Sequence, residues 1–146
     1  MGDIVTQVLA LLRSEIRSQG TRVVTRMAAQ LPAIRGDRVL LQQVVLNLVT
    51  NAIQAMSDTP AAERLLEIDV RMQDRDLLMT VADRGIGIAG DVAAQLFEPF
   101  FTTKPNGLGL GLNICRTIIE SHRGSLTFSS RPGGGVAFCI QLPTTP

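Results

Sequence analysis

The sequence predicts a single α/β domain in which three principal helices cover one face of a β-sheet. Apolar and polar residues alternate over 66–73, as in a half-buried strand, and apolar residues recur at helical spacing over 37–56. With 146 residues, of which 45% are hydrophobic, the chain can bury one full core but is too short for two ordinary domains. We therefore treat 1–146 as one domain.

The first half of the chain is predicted to contain two helices and a strand. Apolar residues every four positions indicate an amphipathic helix over 3–18, and a short strand follows over 21–27. Asp37 can cap a long helix that extends to Met56, and 57–63 forms a loop. The predicted buried stripe of the long helix consists of Leu41, Val44, Val45, Leu48, Ala52 and Met56.

The second half of the chain is predicted to be mainly strands. Residues 66–72 form the first of these strands, and 73–76 form the turn to the next. The remaining elements are, in order, a strand over 77–83, a short helix over 90–96, a helix over 109–122, and a closing hairpin over 125–130 and 136–142.

Composition argues against several classes of function. The net charge of +1 comes from scattered basic residues and argues against nucleic-acid binding, and an aromatic content of 3% leaves few rings for base stacking. One histidine and two cysteines are too few for a Cys/His zinc site. Cys115 and Cys139 are predicted to be small buried hydrophobes in a reducing compartment. Without a long apolar run or a signal peptide, we expect a cytoplasmic domain with no direct membrane contact.

Asn47 and Asn51 form the first group that indicates chemistry. They lie four residues apart on the long predicted helix, so their side chains project from one face beside the apolar stripe. A buried amide must find partners, because leaving it unsatisfied costs about 1–3 kcal/mol. Both amides could bond nearby main chain. Alternatively, their carbonyl oxygens could ligate a hard cation such as Mg²⁺.

Asp83 and the glycines after it form the second group. Asp83 has the same parity as the inward residues of the strand over 77–83, so its carboxylate is predicted to face the core and to need hydrogen-bond donors. Gly85 and Gly87 allow close approach of the main chain or a positive φ. The segment is either an ordinary tight turn or part of a ligand pocket.

Gly107, Gly109 and Gly111 form the third group. They precede a predicted helix, whose free N–H groups and dipole favour an anion. No strand leads into them and no Gly-Lys-Ser/Thr sequence ends them, so neither usual phosphate-binding motif is present. Lys104 is placed to meet a phosphate, or it is a solvated loop charge.

In this order, the three groups resemble the catalytic, ATP-binding domain of bacterial two-component sensor histidine kinases. Such domains belong to a superfamily that also includes DNA gyrase, the MutL repair proteins and the large heat-shock ATPase chaperone. The match extends over about 37–143. Asn47 and Asn51 correspond to its asparagine box, 83–87 to its first glycine box, 97–101 to its phenylalanine box and 107–111 to its second glycine box. The short segment before Gly107 resembles the short-lid kinases.

The resemblance implies a fold, two cofactors and a set of site residues. The fold is a two-layer sandwich of the Bergerat type, with a mixed, mostly antiparallel sheet under three helices. The cofactors are ATP and Mg²⁺, with Asn51 as the metal ligand, Asn47 in support, and Asp83 as acceptor for the adenine amino group. The implied ATP-binding residues are Asn47, Asn51, Asp83, Gly85, Gly87, Ile88, Phe97, Phe101, Thr102, Thr103, Lys104, Gly107, Leu108, Gly109, Leu110, Gly111 and Leu112.

Several of these residues have roles in the family that can be compared with simpler explanations. The glycine segment would wrap the triphosphate as a lid. Phe97, Phe100 and Phe101 would anchor the base of the lid, unless they are ordinary core residues. Val136 stands where many relatives have a threonine that helps to hold the adenine, so that hydroxyl contact is missing. Arg123 stands where glycine is common, and only a surface effect is expected from it.

Position 47 separates the classes of reaction. Related hydrolases carry a glutamate there that activates water, whereas the amide of Asn47 cannot act as a general base. The resemblance therefore implies that the γ-phosphate is transferred to a histidine on a separate dimerisation domain and then to a response regulator. The alternatives are a hydrolysing ATPase and a docking module that binds nucleotide without catalysis.

His122 is the sole histidine, and we do not expect it to be the phosphoacceptor. It lacks the acidic neighbour and the following proline of the family's acceptor segment. No catalytic acceptor is therefore assigned within these residues. The chain is expected to be an excised piece of a larger protein, which could be a membrane-bound receptor with this domain in the cytoplasm.

Overall fold

A computed structural model of the chain describes residues 1–88, 93, 95–98 and 111–144. All helices, strands and contacts below belong to these residues. Their elements are α1 (Gly2–Leu11), α2 (Arg13–Ser18), β1 (Arg22–Met27), α3 (Arg38–Ala55), a 3₁₀ turn (Ala61–Glu63), β2 (Leu65–Gln73), β3 (Asp76–Ala82), α4 (Gly111–Ser121), β4 (Ser125–Ser130) and β5 (Val136–Pro143).

The strands form one five-stranded sheet in the order β1-β2-β3-β5-β4. β1 is parallel to β2, and the other neighbours are antiparallel. The sheet is therefore mixed and mostly antiparallel, as the resemblance implied. Asp76 pairs with Gln73, so Asp74 and Arg75 form the turn between β2 and β3, and Asp74 has a φ of +56°.

The core lies on one face of the sheet. In β2 and β3 the inward residues Ile68, Val70, Met79 and Val81 are at most 1% exposed, whereas the intervening Glu67 and Asp69 are only half-buried. Side chains of α1, α3 and α4 fill this face, so the three principal helices cover one side of the sheet as predicted. None of the described helices has the length and apolarity that a membrane crossing needs.

Helix α3 is the central helix, because it packs against both α1 and α4. Oδ1 of Asp37 accepts a hydrogen bond from the N–H of Leu40 at 3.1 Å, which is the predicted N-cap. The predicted stripe is confirmed, since all six of its residues are buried. Because the helix is fixed by its cap and by its stripe, the positions of Asn47 and Asn51 are fixed with it.

Three predictions differ from the structure. The helix predicted over 3–18 bends at Leu12 (φ −96°, ψ 9°), although Leu12 still donates to Val8 and accepts from Ile16 in the helical pattern. Only α1 contributes fully buried residues, and beyond the bend Ile16 packs against the core while only partly buried. Cys115 and Cys139 are free thiols, but only Cys115 is buried, because Cys139 faces the uncovered side of the sheet between Thr80 and Thr127.

The third difference concerns Arg123, which follows α4. Its φ of +63° lies in the left-handed region, where a side chain strains the main chain and glycine does not. The expectation of a surface effect alone is therefore wrong for this residue. The short helix predicted over 90–96 and the first two residues of the helix predicted over 109–122 lie largely outside the described residues, and both remain predictions.

Candidate functional site

Asp83 is the first residue after β3 and is 3% exposed, which confirms its predicted inward parity. Its Oδ1 accepts hydrogen bonds from the N–H of Gly85 at 2.8 Å and from the N–H of Val136 at 3.3 Å. The main-chain N–H of Asp83 donates to the carbonyl of Val136 at 3.0 Å. The buried carboxylate therefore has the donors that its position requires, and Val136 supplies one through its main chain.

The electrostatic balance at Asp83 has opposing contributions. Burial raises the pKa of the Asp83 carboxyl, while the N–H groups of Gly85 and Val136 and the charge of Arg131 lower it. Both hydrogen bonds from described residues go to Oδ1. Within that part of the chain, Oδ2 is left as an acceptor for a group from outside the fold.

Two glycines bring the main chain close around this carboxylate. A Cβ on Gly85 would clash with the carbonyl oxygen of Ala55 at the end of α3. A Cβ on Gly135, whose φ is +97°, would clash with the carbonyl oxygen of Asp83. We call Asp83, Gly85, Gly135 and Val136 the carboxylate side of the site. Gly87 adopts a φ of +78°, as the sequence allowed.

The second half of the site, the amide side, consists of Asn47, Asn51 and Gly111. Both asparagines are half-buried on α3. Nδ2 of Asn47 donates to the carbonyl of Gly111, the first residue of α4, at 3.4 Å. A Cβ on Gly111 would lie 3.1 Å from Oδ1 of Asn47, so glycine allows this close approach. The amide oxygen of Asn47 keeps its acceptor capacity.

The same two helices also meet at their other ends. The N–H of Asp37 donates to Nε2 of His122 at 3.0 Å, and Nδ1 of His122 lies 2.7 Å from the carbonyl of Ile118. Because a carbonyl only accepts, Nδ1 carries the proton and Nε2 is the acceptor. Both ring nitrogens thus have main-chain partners within the fold. The thiol of Cys115 lies between the two ends, and burial raises its pKa to about 11.

Phe97 connects residues 95–98 to the core. Its ring centroid lies 5.8 Å from that of Phe128, which in turn lies 6.0 Å from Phe138. The guanidinium of Arg116 on α4 lies 5.1 Å from the centre of the Phe97 ring. Phe97 thus packs against the core and joins it to α4, while its role at the base of a lid stays a prediction.

The remaining predicted site residues divide into two groups. Ile88 and Leu112 are half-buried and pack against the core. The others lie outside the described residues, and their roles remain predictions: Phe100, Phe101, Thr102, Thr103, Lys104, Gly107, Leu108, Gly109 and Leu110.

The sequence did not identify a cluster of charges behind Asp83. Glu67 on β2 accepts from Nη2 of Arg131 at 3.1 Å and lies 3.5 Å from Nη1 of Arg26 and 4.0 Å from Nη2 of Arg84. The pKa of Glu67 is lowered, and the hydrogen bond from Arg131 is the largest cause. The sequence shows only an acidic residue at an outward position of β2. It does not indicate the partner, Arg131, which lies 64 residues away.

Comparison with known proteins agrees with this geometry. Residues 36–146 match the family model described as histidine kinase-, DNA gyrase B-, and HSP90-like ATPase. The C4-dicarboxylate transport sensor protein DctS of Rhodobacter capsulatus is 36% identical over 143 residues, which are 98% of this chain and 22% of that protein. The sensor protein TdiS of Thauera aromatica is 37% identical over 145 residues, or 98% of this chain and 26% of that protein.

Solved structures show the same relationship. The nucleotide-free catalytic domain of the histidine kinase ThkA superposes with a TM-score of 0.89 at 31% identity, covering 100% of this chain and 93% of that one. ThkA in complex with the response regulator protein TrrA gives a TM-score of 0.84 at 29% identity, covering 100% of this chain and 41% of that one.

The fold and the family match define an ATPase-type domain. The chain belongs to the histidine kinase-, DNA gyrase B-, and HSP90-like ATPase family. Its resemblance to the catalytic domain of sensor histidine kinases in two-component signalling is confirmed. The chain spans about a quarter of the length of these curated relatives, at 22% and 26%.

Proposed function

We propose that this chain binds Mg-ATP and provides the γ-phosphate for transfer to a histidine on a separate dimerisation domain, with a response regulator as the next acceptor. The observation that carries the proposal is the carboxylate of Asp83, which is buried and has one oxygen bonded by two main-chain N–H groups. Its other oxygen is the acceptor that an adenine amino group requires. The family membership and the ThkA–TrrA complex support the partners.

Base selection follows from the acceptor character of Asp83. An ionised carboxylate only accepts hydrogen bonds, so it matches the exocyclic amino group of adenine. Guanine presents a carbonyl at that position, and two acceptors would face each other without a proton between them. Such a mismatch in a buried site leaves polar groups unpaired, which is the strongest basis for rejecting an analogue.

The amide side fits a hard cation. Mg²⁺ prefers oxygen ligands and keeps several waters and phosphate oxygens around it. Asn51 would supply an amide oxygen as ligand, and Asn47 would support the metal with Oδ1 while its Nδ2 holds Gly111. A bound Mg²⁺ would offset the charge of the triphosphate. The chain's own contribution is to hold these amides on a capped, buried helix.

Asn47 favours transfer over hydrolysis. Its side chain has no basic site at neutral pH, so it cannot remove a proton from an attacking water. The hydrogen bond to Gly111 also places the amide beside the start of α4. The γ-phosphate would therefore persist until an acceptor side chain is supplied by another domain.

Calorimetry with ATP and GTP tests base recognition. We expect ATP to bind more tightly than GTP, and Asp83→Asn to weaken ATP binding by about 1–3 kcal/mol. Asp69→Asn is the matched control, because Asp69 lies on the uncovered face of the sheet away from Asp83. Equal affinity for ATP and GTP would contradict the assignment of Asp83.

A phosphotransfer assay tests the reaction. The chain alone should bind ATP, hydrolyse it very slowly and incorporate almost no phosphate. With the cognate two-helix histidine domain added in trans, the partner should acquire an acid-labile, base-stable phosphoramidate. Rapid turnover by the chain alone would instead indicate a hydrolysing ATPase. Tight ATP binding without transfer to the cognate domain would indicate a docking module.

A further inference from the structure

Arg131 connects three parts of the molecule that lie far apart in the sequence. It stands at the start of the turn between β4 and β5. Its Nη1 donates to the carbonyl oxygen of Asp83 at 3.0 Å, and its Nη2 donates to Oε1 of Glu67 at 3.1 Å. The side chains of Arg131 and Glu67 are only 22% and 20% exposed. One planar guanidinium therefore holds the end of β3 and the middle of β2 together.

The same turn delivers a donor to the Asp83 carboxylate. The N–H of Arg131 bonds to the carbonyl of Gly135 at 3.1 Å and closes the turn. The next residue, Val136, donates its N–H to Oδ1 of Asp83. The position of the guanidinium and the position of the Val136 N–H are therefore set by one short piece of main chain.

We infer that Arg131, held by Glu67, is a positioning residue for nucleotide recognition, which fixes the main chain at Asp83 and keeps the Val136 N–H in line with its Oδ1. It acts through Asp83 and needs no contact with the nucleotide itself. The inference rests on the proposed function, in which Asp83 reads the adenine amino group. It adds a requirement at a residue that lies outside the four boxes named above.

The charges around Asp83 favour this role for Arg131 alone among the nearby arginines. Burial raises the pKa of Asp83, and Arg131 is the charged side chain that lowers it. Arg26 and Arg84 also approach Glu67, but neither is among the groups that shift the pKa of Asp83. On the helix side, 83–85 contact Met56, whose sulfur accepts from the N–H of Arg84, Ala55, and Thr59, whose hydroxyl donates to the carbonyl of Arg84, and all three are uncharged.

Arg131→Gln and Arg26→Gln form a matched pair of variants. Both remove one arginine from the same Glu67 carboxylate, but only Arg131 contacts Asp83. ATP affinity should be measured by calorimetry from about pH 5 to about pH 8, a range that extends upward from the ordinary carboxyl titration. We expect Arg131→Gln to weaken ATP binding about tenfold near pH 7 and to move the acid midpoint of binding to higher pH. Arg26→Gln should leave both close to the wild-type values.

Arg131→Lys separates charge from geometry. A lysine restores the positive charge but cannot donate to two acceptors in the fixed fork of a guanidinium. Its acid midpoint should return towards the wild-type value, while its affinity near pH 8 stays reduced. Thermal unfolding shows whether Arg131→Gln folds. If it does not, the ATP affinities of Arg131→Lys and Arg26→Lys near pH 8 are compared instead.

Asp83→Asn in the same experiment distinguishes two kinds of failure. If Asp83→Asn binds ATP as well as the wild type, the proposed function fails. If Asp83→Asn is weak but the Arg131 variants match the Arg26 variants in both midpoint and affinity, only the role of Arg131 is overturned. A midpoint shift or affinity loss confined to the Arg131 variants supports the inference.

Discussion

Asp83 on the carboxylate side and Asn47 on the amide side are held by different kinds of contact. Asp83 is surrounded by main-chain groups of 85, 135 and 136, two of them brought close by glycines. Asn47 is held by its own side chain, which donates to the start of α4 at 3.4 Å and also bonds the thiol of Cys115 on that helix. Main-chain contacts fix a group rigidly, whereas contacts made by a side chain through long hydrogen bonds leave room for adjustment.

This difference matches what each side is proposed to bind. A base has a fixed pattern of donors and acceptors and is best read by a rigid acceptor. A metal and its phosphates change during transfer, so ligands on side chains are more suitable for them. Substitutions on the carboxylate side should therefore act through clashes and changes of charge. Substitutions on the amide side should act through the loss of individual ligands.

The largest expected effect is on the carboxylate side, from Gly135→Ala. Its Cβ would clash with the carbonyl oxygen of Asp83, and this main chain cannot move without breaking the pairing of β3 with β5. We expect the free energy of unfolding to fall by roughly 3 kcal/mol, with ATP affinity falling as well. Urea denaturation and calorimetry measure the two losses.

Gly133→Ala is the control for Gly135→Ala. Gly133 has a φ of +83°, so alanine is strained there too, but nothing lies within 4 Å of the added Cβ. Its cost should be about 1 kcal/mol and should leave ATP affinity unchanged. Equal losses from the two variants would show that strain, and not contact with Asp83, controls this turn.

On the amide side, Asn51→Ala should reduce ATP affinity in the presence of Mg²⁺ by about tenfold or more, since a metal ligand is lost. Without Mg²⁺, its affinity should be close to that of the wild type. Gln54→Ala, an exposed position on the same helix, is the control. Unchanged Mg²⁺ dependence in Asn51→Ala would return the asparagine pair to a purely structural role.

The pH dependence of stability should have opposite signs at Asp83 and Glu67. The folded-state pKa of Asp83 is raised above its ordinary value of 3.8, so ionising it costs stability as pH rises through that window. The pKa of Glu67 is lowered below its ordinary value of 4.5, so its contribution is present at neutral pH and is lost as pH falls through the lowered value.

Urea denaturation from about pH 3 to about pH 8 can test these signs with two variants. Relative to the wild type, Asp83→Asn should become more stable as pH rises. Glu67→Gln should become less stable as pH rises, reaching a deficit on the order of 1 kcal/mol near pH 7 because its contacts are partly exposed. Differences of the same sign in both variants would contradict this account of the two carboxyls.

The smallest expected effects lie at Arg123, at the end of α4 remote from Gly111, and at Asp74, in the turn between β2 and β3. Arg123→Gly should raise the free energy of unfolding by about 0.5 kcal/mol, because relief of left-handed strain exceeds the extra chain entropy of glycine by a small margin. Asp74→Gly should gain less, since aspartate tolerates the left-handed region better. ATP affinity should not change in either variant, and a change in Arg123→Gly would mean that strain at this end reaches the site.

The strands, the long helix and the inward position of Asp83 could be predicted from the sequence because each depends on a local period. Alternation over 66–72 and helical spacing over 37–56 report directly which face is buried. The family resemblance added the roles of Asn47 and Asn51, which periodicity alone left open between a metal ligand and a main-chain contact.

Other features could not be predicted because they depend on how distant segments align. Arg131 meets Asp83 and Glu67 only after β5 is inserted between β3 and β4 in one register. The bend at Leu12 and the left-handed Arg123 carry no glycine or proline to indicate them. The burial of residues can therefore be predicted from local periodicity, whereas contacts between remote segments cannot.

The antiparallel contact of α3 with α4 limits how these segments can change in length. The two helices meet at Asp37 with His122 and again at Asn47 with Gly111, ten residues apart on one helix and eleven on the other. These intervals correspond to about 15 and 16.5 Å of helix, and one inserted residue turns everything beyond it by about 100°. We therefore expect natural insertions and deletions in related chains to avoid both intervals and to collect in loops such as 28–35.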